Sequence, residues 1–582
     1  MNELEQRIVN STQDSTFLKL IYDEYCKNIN EDYEISHTLI KLHNQKIIDV
    51  ISEFYSLSNT SADFNFFQIR HILGDVIPFI DCSVKEVKNC VRDLTVKAGN
   101  DMASHDLISP FIEFCSADID RVESLLEQEL KVTDDDFDHI SIALISGYKI
   151  NKKTYFNKAV QLLNHRNPII VQRVIFALSR FNYNEEPELA ATVVKEIITC
   201  TESIEDEQIL STATNTLITL LADYEYLEPD IIEFFERNIG NNDPDFIFRI
   251  AQQLNYRHAN LSENIQRLLL SFFKDINIDW KGIINQIDLY IYKKISELNA
   301  INIAELFEYI LSNNSNSLDI GVLTNSLRRL REKEYEEVLS SIFTRWLLKR
   351  EMIYCVSAVK LVKNSTTDQI KIGFDTGQVK VEDLMYLVNK AIGWFSIQPS
   401  TSLSLILSVV PMFSKSEIEI IGNKTFEFIA LNYSSQTKNF LQEYLDSSDK
   451  NTVDFSGHLI EKLKSFLEKF NKLYEVKELR PSTRHRSEYA NYQQNLFSEA
   501  MAKPLEGSLV DMFFPNKKVT LYGNKFIHKH KDFSGNTIRQ VMPFSKMSHS
   551  IDFPSLANLT PHTLQYSLYK FQFEELVNET NP

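Results

Sequence analysis

An apolar pattern that returns at just under forty residues constrains this chain more than any other feature of it. Asn167-Pro168-Ile169-Ile170-Val171-Gln172-Arg173 runs into Ala177-Leu178, and Asp243-Pro244-Asp245-Phe246-Ile247-Phe248-Arg249 runs into Gln253-Leu254. The Pro, the apolar residue three later and the Arg five later coincide, 76 residues apart. Between them Glu207-Gln208-Ile209-Leu210-Ser211-Thr212 runs into Thr216-Leu217, so the starts at 168, 207 and 244 are 39 and 37 residues apart. Each start is followed by a second apolar-periodic stretch, at 189–198, 231–239 and 265–273, which predicts three helical hairpins. A hairpin cannot cover its own apolar face, whereas hairpins stacked side by side form a continuous core.

Proline does little harm in a first helical turn, where its missing N–H would have had no partner. On these residues, over about 165–275, the chain resembles the HEAT and armadillo class of helical repeats, whose helices often open on a Pro and carry an Arg a turn later. The middle unit departs from that pattern, with Glu207 and Thr212 in place of the Pro and Arg. The resemblance implies a solenoid architecture and points to no particular member of the class.

Helical spacing continues outside this block without an alignable period, as in Ile40, Ile47, Ile48 and Ile51 or Leu459, Leu463, Phe466, Leu467 and Phe470. Only 14 glycines and 15 prolines occur in 582 residues, against average usage of roughly 7% and 5%. A sheet-rich fold with many tight turns would need more of both. The expected class is therefore mainly α, a solenoid of stacked hairpins ending in a small C-terminal module with some β-strand. The expected divisions are 1–164 N-terminal helical, 165–275 HEAT-like repeats, 276–474 helical and continuing the array, and 475–582 an α+β module.

The C-terminal division rests on a shift in composition. From Lys477 onward the chain holds 7 of its 15 prolines and 5 of its 13 histidines, with 13 Lys and Arg against 10 Asp and Glu. Strand-like runs are expected at 518–522, 525–531 and 564–573. Lys517, Lys518, Lys525, His528, Lys529, His530 and Lys531 form the most concentrated basic feature and are the candidate anion or nucleic-acid contacts, with Tyr522 and Phe526 as stacking groups. The competing explanation is an edge strand guarded by lysines against aggregation. No metal site is expected: His528 and His530 share a strand face, but His549, His562, Asp532 and Asp552 are too far away in sequence for any fixed ligand spacing.

Two other acidic motifs dissolve on inspection. Asp134, Asp135, Asp136 and Asp138 mimic a calcium loop, but its sixth position is His139 and its twelfth Ile145, which fits a helix N-terminus better. Asp375-Thr376-Gly377 matches an aspartic-protease triplet with no second triplet to share its proton, and reads as a turn. There is no P-loop, Rossmann fingerprint, His-Glu-x-x-His helix or Gly-x-Ser-x-Gly elbow.

The net charge of -19 opposes broad nucleic-acid or membrane contact and favours protein partners. Six cysteines without paired short spacing fit thiols in a reducing compartment, and a helix-patterned N-terminus does not read as a signal peptide. The expectation is a cytoplasmic, non-enzymatic protein-interaction scaffold without cofactor. It would present an acidic helical surface to protein partners and could serve a multi-protein bacterial defence (antiviral) or stress system. The alternative is a nucleic-acid-binding protein or enzyme subunit acting through the basic C-terminal residues.

Overall fold

The computed structural model describes residues 2–473 except 15, 28–32, 60–63, 100, 132–137, 204–205, 315–318 and 363–368. Beyond 473 it describes parts of 482–495, three strands between 518 and 543, residue 556, and 560–576. The chain divides into two compact units, Met1–Val338 and Leu339–Pro582.

In unit 1 the three predicted hairpins form and lie in sequential register. Their first helices are Pro168–Leu178, Glu207–Asp223 and Pro244–Arg257, and each packs on the next. Their second helices, Pro187–Ser203, Glu228–Arg237 and Glu263–Leu270, form a parallel row of neighbours. The first row extends backward through His139–Ile150 to Ile108–Ser116 and forward through Lys281–Ile295 to Thr324–Leu330. Within Pro168–Leu178 the buried residues are Ile170, Val171, Val174, Ile175, Ala177 and Leu178, a stripe at steps of three and four. Fully burying each aliphatic side chain stabilises by about 1.5–3 kcal/mol.

Each first helix starts where its sequence allows. Pro168 and Pro244 sit in first turns, and Asn167 and Asp243 accept hydrogen bonds from the N–H groups of Ile169 (3.0 Å) and Phe246 (2.8 Å). The middle repeat lacks the proline and uses Asp206, which accepts from Gln208 N (2.9 Å) and Ile209 N (3.0 Å). A ladder of rings crosses the repeats: Tyr148 stacks on Phe181 at 4.0 Å, and Tyr183 meets Tyr224 edge-on at 6.1 Å. Glycine is required at 147, because a Cβ there would run into the ring of Tyr155.

The helix Thr324–Leu330 has no cap of its own, since Leu323 precedes it. The buried Asp288, one repeat earlier, supplies the cap. One of its oxygens accepts from Asn325 N (2.8 Å) and Asn325 Nδ2 (2.9 Å), and the other from Ser326 N (2.8 Å) and Ser326 Oγ (2.6 Å).

Unit 2 is built around Leu384–Phe395, which packs on Pro399–Val409 and on the C-terminal helix Pro561–Phe573. Pro399–Val409 packs in turn on Ser434–Gln442, and that helix on Lys450–Asn471. The C-terminal helix is held at its end: the buried Lys390 ammonium donates to the carbonyls of Phe571 (3.0 Å), Gln572 (2.8 Å) and Glu574 (2.6 Å). Burial pushes the Lys390 pKa down to about 8, still above neutrality, so the three-proton form faces the three acceptors at pH 7. Phe571 meets Phe428 edge-on at 5.2 Å, Trp394 meets Phe573 at 5.7 Å, and Arg350 bridges Asp383 and Glu575. Gly393 lets the two backbones approach, and Gln572 Nε2 donates to its carbonyl at 2.8 Å.

This architecture corrects the expected class, which is all-α and solenoid-like rather than mainly α with a β-containing C-terminal module. Residues 564–573, expected as a strand, lie in a helix whose inward positions Leu564, Ser567, Leu568 and Phe571 step by three, one and three. The alternation in Leu564-Gln565-Tyr566-Ser567-Leu568 is overridden by docking on unit 2, and Pro561 opens the helix without penalty. Three short strands, Lys518–Tyr522, Lys525–Lys531 and Thr537–Pro543, pair antiparallel in that order, but their side chains lie outside the described residues and provide no described module core.

No helix among the described residues is long and apolar enough to cross a membrane. Cys90, Cys115, Cys200 and Cys355 are buried free thiols, Cys82 is half-buried and Cys26 exposed.

Candidate protein-binding groove

Three neighbouring first-row helices of unit 1, Ile108–Ser116, His139–Ile150 and Pro168–Leu178, line a groove of about 1070 Å³ together with residues of Glu207–Asp223. Its floor is aliphatic and aromatic: Ile108 and Ile112 from the first helix, Ile142 and Ile145 from the second, and Ile169 and Phe176 from the third. These side chains are half-buried, apart from the buried Ile142 and from Ile169, which is 45% exposed and stands at the groove edge. Gln208 and Thr212 close the far side, where Gln172 Nε2 donates to Thr212 Oγ1 at 3.1 Å.

The charged rim is basic. Lys149 is exposed in the last turn of its helix, Arg180 is exposed just beyond the end of Pro168–Leu178, and the half-buried Arg173 also lines the groove. Arg180 stands over the Phe176 ring at 5.3 Å. His105 also lines the groove. The acidic lining residue is Asp138, and it is engaged: it caps His139–Ile150 by accepting from Ser141 N at 2.9 Å and from Ser141 Oγ, and lies 3.8 Å from Arg173 Nε. Among the described lining residues the exposed charged groups of the rim are the cations Lys149 and Arg180. Asp138 also takes the helix-terminus role expected for its acidic run, whose members at 134–136 lie outside the described residues.

The wall beneath the floor is pinned by a buried ion cluster. Glu129 accepts from Lys88 at 2.7 Å and lies 3.2 Å from His139, whose ring meets Phe111 edge-on at 6.3 Å. Burial by itself raises the Glu129 carboxyl, but the bonds to His139 and Lys88 outweigh it and bring the pKa down to about 2. A carboxylate depressed in the fold stabilises fully above its unfolded value near 4.5, and that contribution falls away as pH drops from 4.5 toward 2. Unit 1 is expected to lose stability progressively in that window, and Glu129→Gln should flatten the acid limb of a pH-dependent unfolding curve.

Of the candidate residues read from sequence, Lys517 lies outside the described residues. Lys518 opens the first strand, and Lys525, His528, Lys529, His530 and Lys531 lie along the second, with Lys518 paired to Lys529 and Lys529 to Arg539 in the backbone register. Their side chains lie outside the described residues, so no site is assembled from them. The Asp375-Thr376-Gly377 triplet is a turn, with Asp375 accepting from Gly377 N at 3.2 Å and from Gln378 Nε2 at 2.7 Å. Among the described residues no group of His, Cys, Asp and Glu could hold a metal ion.

Sequence reasoning noted Arg173 as a repeat marker but passed over Lys149 and Arg180. The signal was present: Ile169, Gln172, Arg173, Phe176 and Arg180 recur at steps of three and four, a second face on a helix whose first face was already assigned to the core.

No family model and no curated protein matches the chain. A solved structure from work on a conserved phosphorylation switch controlling the interaction between cadherin and beta-catenin in vitro and in vivo aligns over 75% of this chain and 98% of that chain. The identity is 11% and the TM-score 0.18. At that score the likeness defines neither a shared fold nor a shared function.

Proposed function

We propose that this protein is a non-enzymatic interaction scaffold that binds a protein partner in the groove of unit 1. The observation that carries the reading is the groove itself: three neighbouring first-row helices leave Ile108, Ile112, Ile145, Ile169 and Phe176 partly exposed along one trough, with Lys149 and Arg180 exposed at its rim. Isolated exposed apolar residues are ordinary on any surface, whereas a contiguous apolar trough with a polar edge has the anatomy of an interface core and its rim. A partner held this way would make the chain a component of a multi-protein complex.

The test places a photo-crosslinking phenylalanine at 176 in the full-length protein in its native host. One dominant protein adduct, lost when Ile145→Asp is added, is the expected result. Absence of any adduct at 176, with adducts forming at exposed control positions such as Tyr256, would refute the reading. Exposed rim charges act mainly on encounter and on salt dependence. The pair Lys149→Glu and Arg180→Glu should therefore weaken partner binding by about tenfold or more at low ionic strength and leave folding intact.

A further inference from the structure

Resting on that reading, we infer that the groove's occupant is an acidic segment carrying aliphatic or aromatic side chains, with its carboxylates read by Lys149 and Arg180 and its apolar residues seated on Ile142, Ile145 and Phe176. Three observations converge on this chemistry. The chain carries a net charge of -19, yet among the described residues the lining of this groove holds Lys149, Arg173 and Arg180 against the one carboxylate of Asp138. Among the described residues that carboxylate is engaged by Ser141 and Arg173, which leaves the exposed Lys149 and Arg180 as the cations facing an occupant. An acidic segment can pair with these two exposed cations, which a basic segment cannot do.

The second observation is spacing. Lys149 lies seven residues after Ile142 and four after Ile145 on one helix, and Arg180 follows the end of the next helix four residues after Phe176, so Ile145 and Phe176 each have a cation four residues on. A ligand with a carboxylate one turn from its apolar anchors satisfies both rows together. The third is the character of the cations. Arg180 stands over the Phe176 ring at 5.3 Å, beside an apolar seat, and a planar guanidinium fork pairs bidentately with carboxylate. A bare polyanion such as nucleic acid would meet the cations but leave the Ile142, Ile145 and Phe176 floor uncovered.

The experiment measures fluorescence anisotropy of labelled peptides on the full-length protein. One amphipathic peptide carries Leu and Phe on one face and Glu on the other, a second replaces every Glu by Gln, a third replaces every Glu by Lys, and a homopolymeric single-stranded DNA serves as polyanion. The acidic peptide should bind at least about tenfold tighter than the Gln peptide, with the gap closing as salt rises, and the Lys149→Glu, Arg180→Glu variant should reverse the order between the Glu and Lys peptides. Equal affinity for the Glu and Gln peptides, or DNA binding as tight as that of the Glu peptide, overturns the inference. Sequencing the partner segment joined to position 176 separates the two proposals. An adduct on a neutral or basic segment defeats the inference and leaves the groove as a binding surface, whereas failure to crosslink defeats both.

Discussion

Replacing Lys390 by Met releases the helix Pro561–Phe573 from unit 2, with amide exchange across 561–573 rising by about a hundredfold while Pro399–Val409 stays protected. Met matches the length of the stem and removes the ammonium. The balance can be decided from magnitudes. Taking the charge out of its buried site returns about 3 kcal/mol, the worth of a pKa displaced from 10.5 to about 8. Against this, the carbonyls of Phe571, Gln572 and Glu574 lose their donor, and a buried acceptor left unmade costs about 1–3 kcal/mol. One of these bonds is buried and two are part-buried, so at the middle of that range the losses exceed the gain, and in the undocked state water satisfies all three carbonyls. Gly393→Ala should give the same exchange pattern without touching any charge, because its Cβ would lie 2.9 Å from Gln572 N and 3.0 Å from the Phe571 carbonyl carbon. Unchanged protection in both variants would mean that the C-terminal helix is held by something other than its last turn.

Asp288→Ala should lower the stability of unit 1 by about 3 kcal/mol, with the loss concentrated in Thr324–Leu330. Four hydrogen bonds converge on this buried carboxylate, two from backbone N–H groups that the helix cannot satisfy itself. The negative charge also faces the positive end of the helix. Alanine leaves a cavity, two orphaned N–H groups and the buried Ser326 hydroxyl with one partner fewer. Asp288→Asn keeps one of the two acceptor oxygens and replaces the other by an amide donor, so it should recover only part of the loss. Urea unfolding of the full-length variants, read alongside local exchange, checks both, and an Asp288→Ala chain as stable as the parent would show that Leu323 needs no substitute cap.

Much of unit 1 could be read directly from the residues. The Pro168 and Pro244 turns, the caps beside them and the 39- and 37-residue spacing each stem from local chemistry, and stacking is the one arrangement that covers every stripe. The cap from Asp288 was invisible, because a carboxylate inside an apolar helix gives no hint of which helix end lies above it 37 residues on. The groove was half visible. Its residues sit at helical steps, but their partners across the groove come from other helices, and the overall acidity of the chain gives no hint of where Lys149 and Arg180 stand.

The sequence by itself determined the α-hairpins, their order and their register in the repeat block, since periodicity, capping and proline placement act within a few residues of each other. Only the tertiary structure decided that residues 564–573 are a helix, because alternation and aromatic content there favour a strand until Lys390 and Gly393 receive the last turn. It also decided where the positive charge collects, because a field is a sum over residues that folding brings together and that the linear order keeps apart.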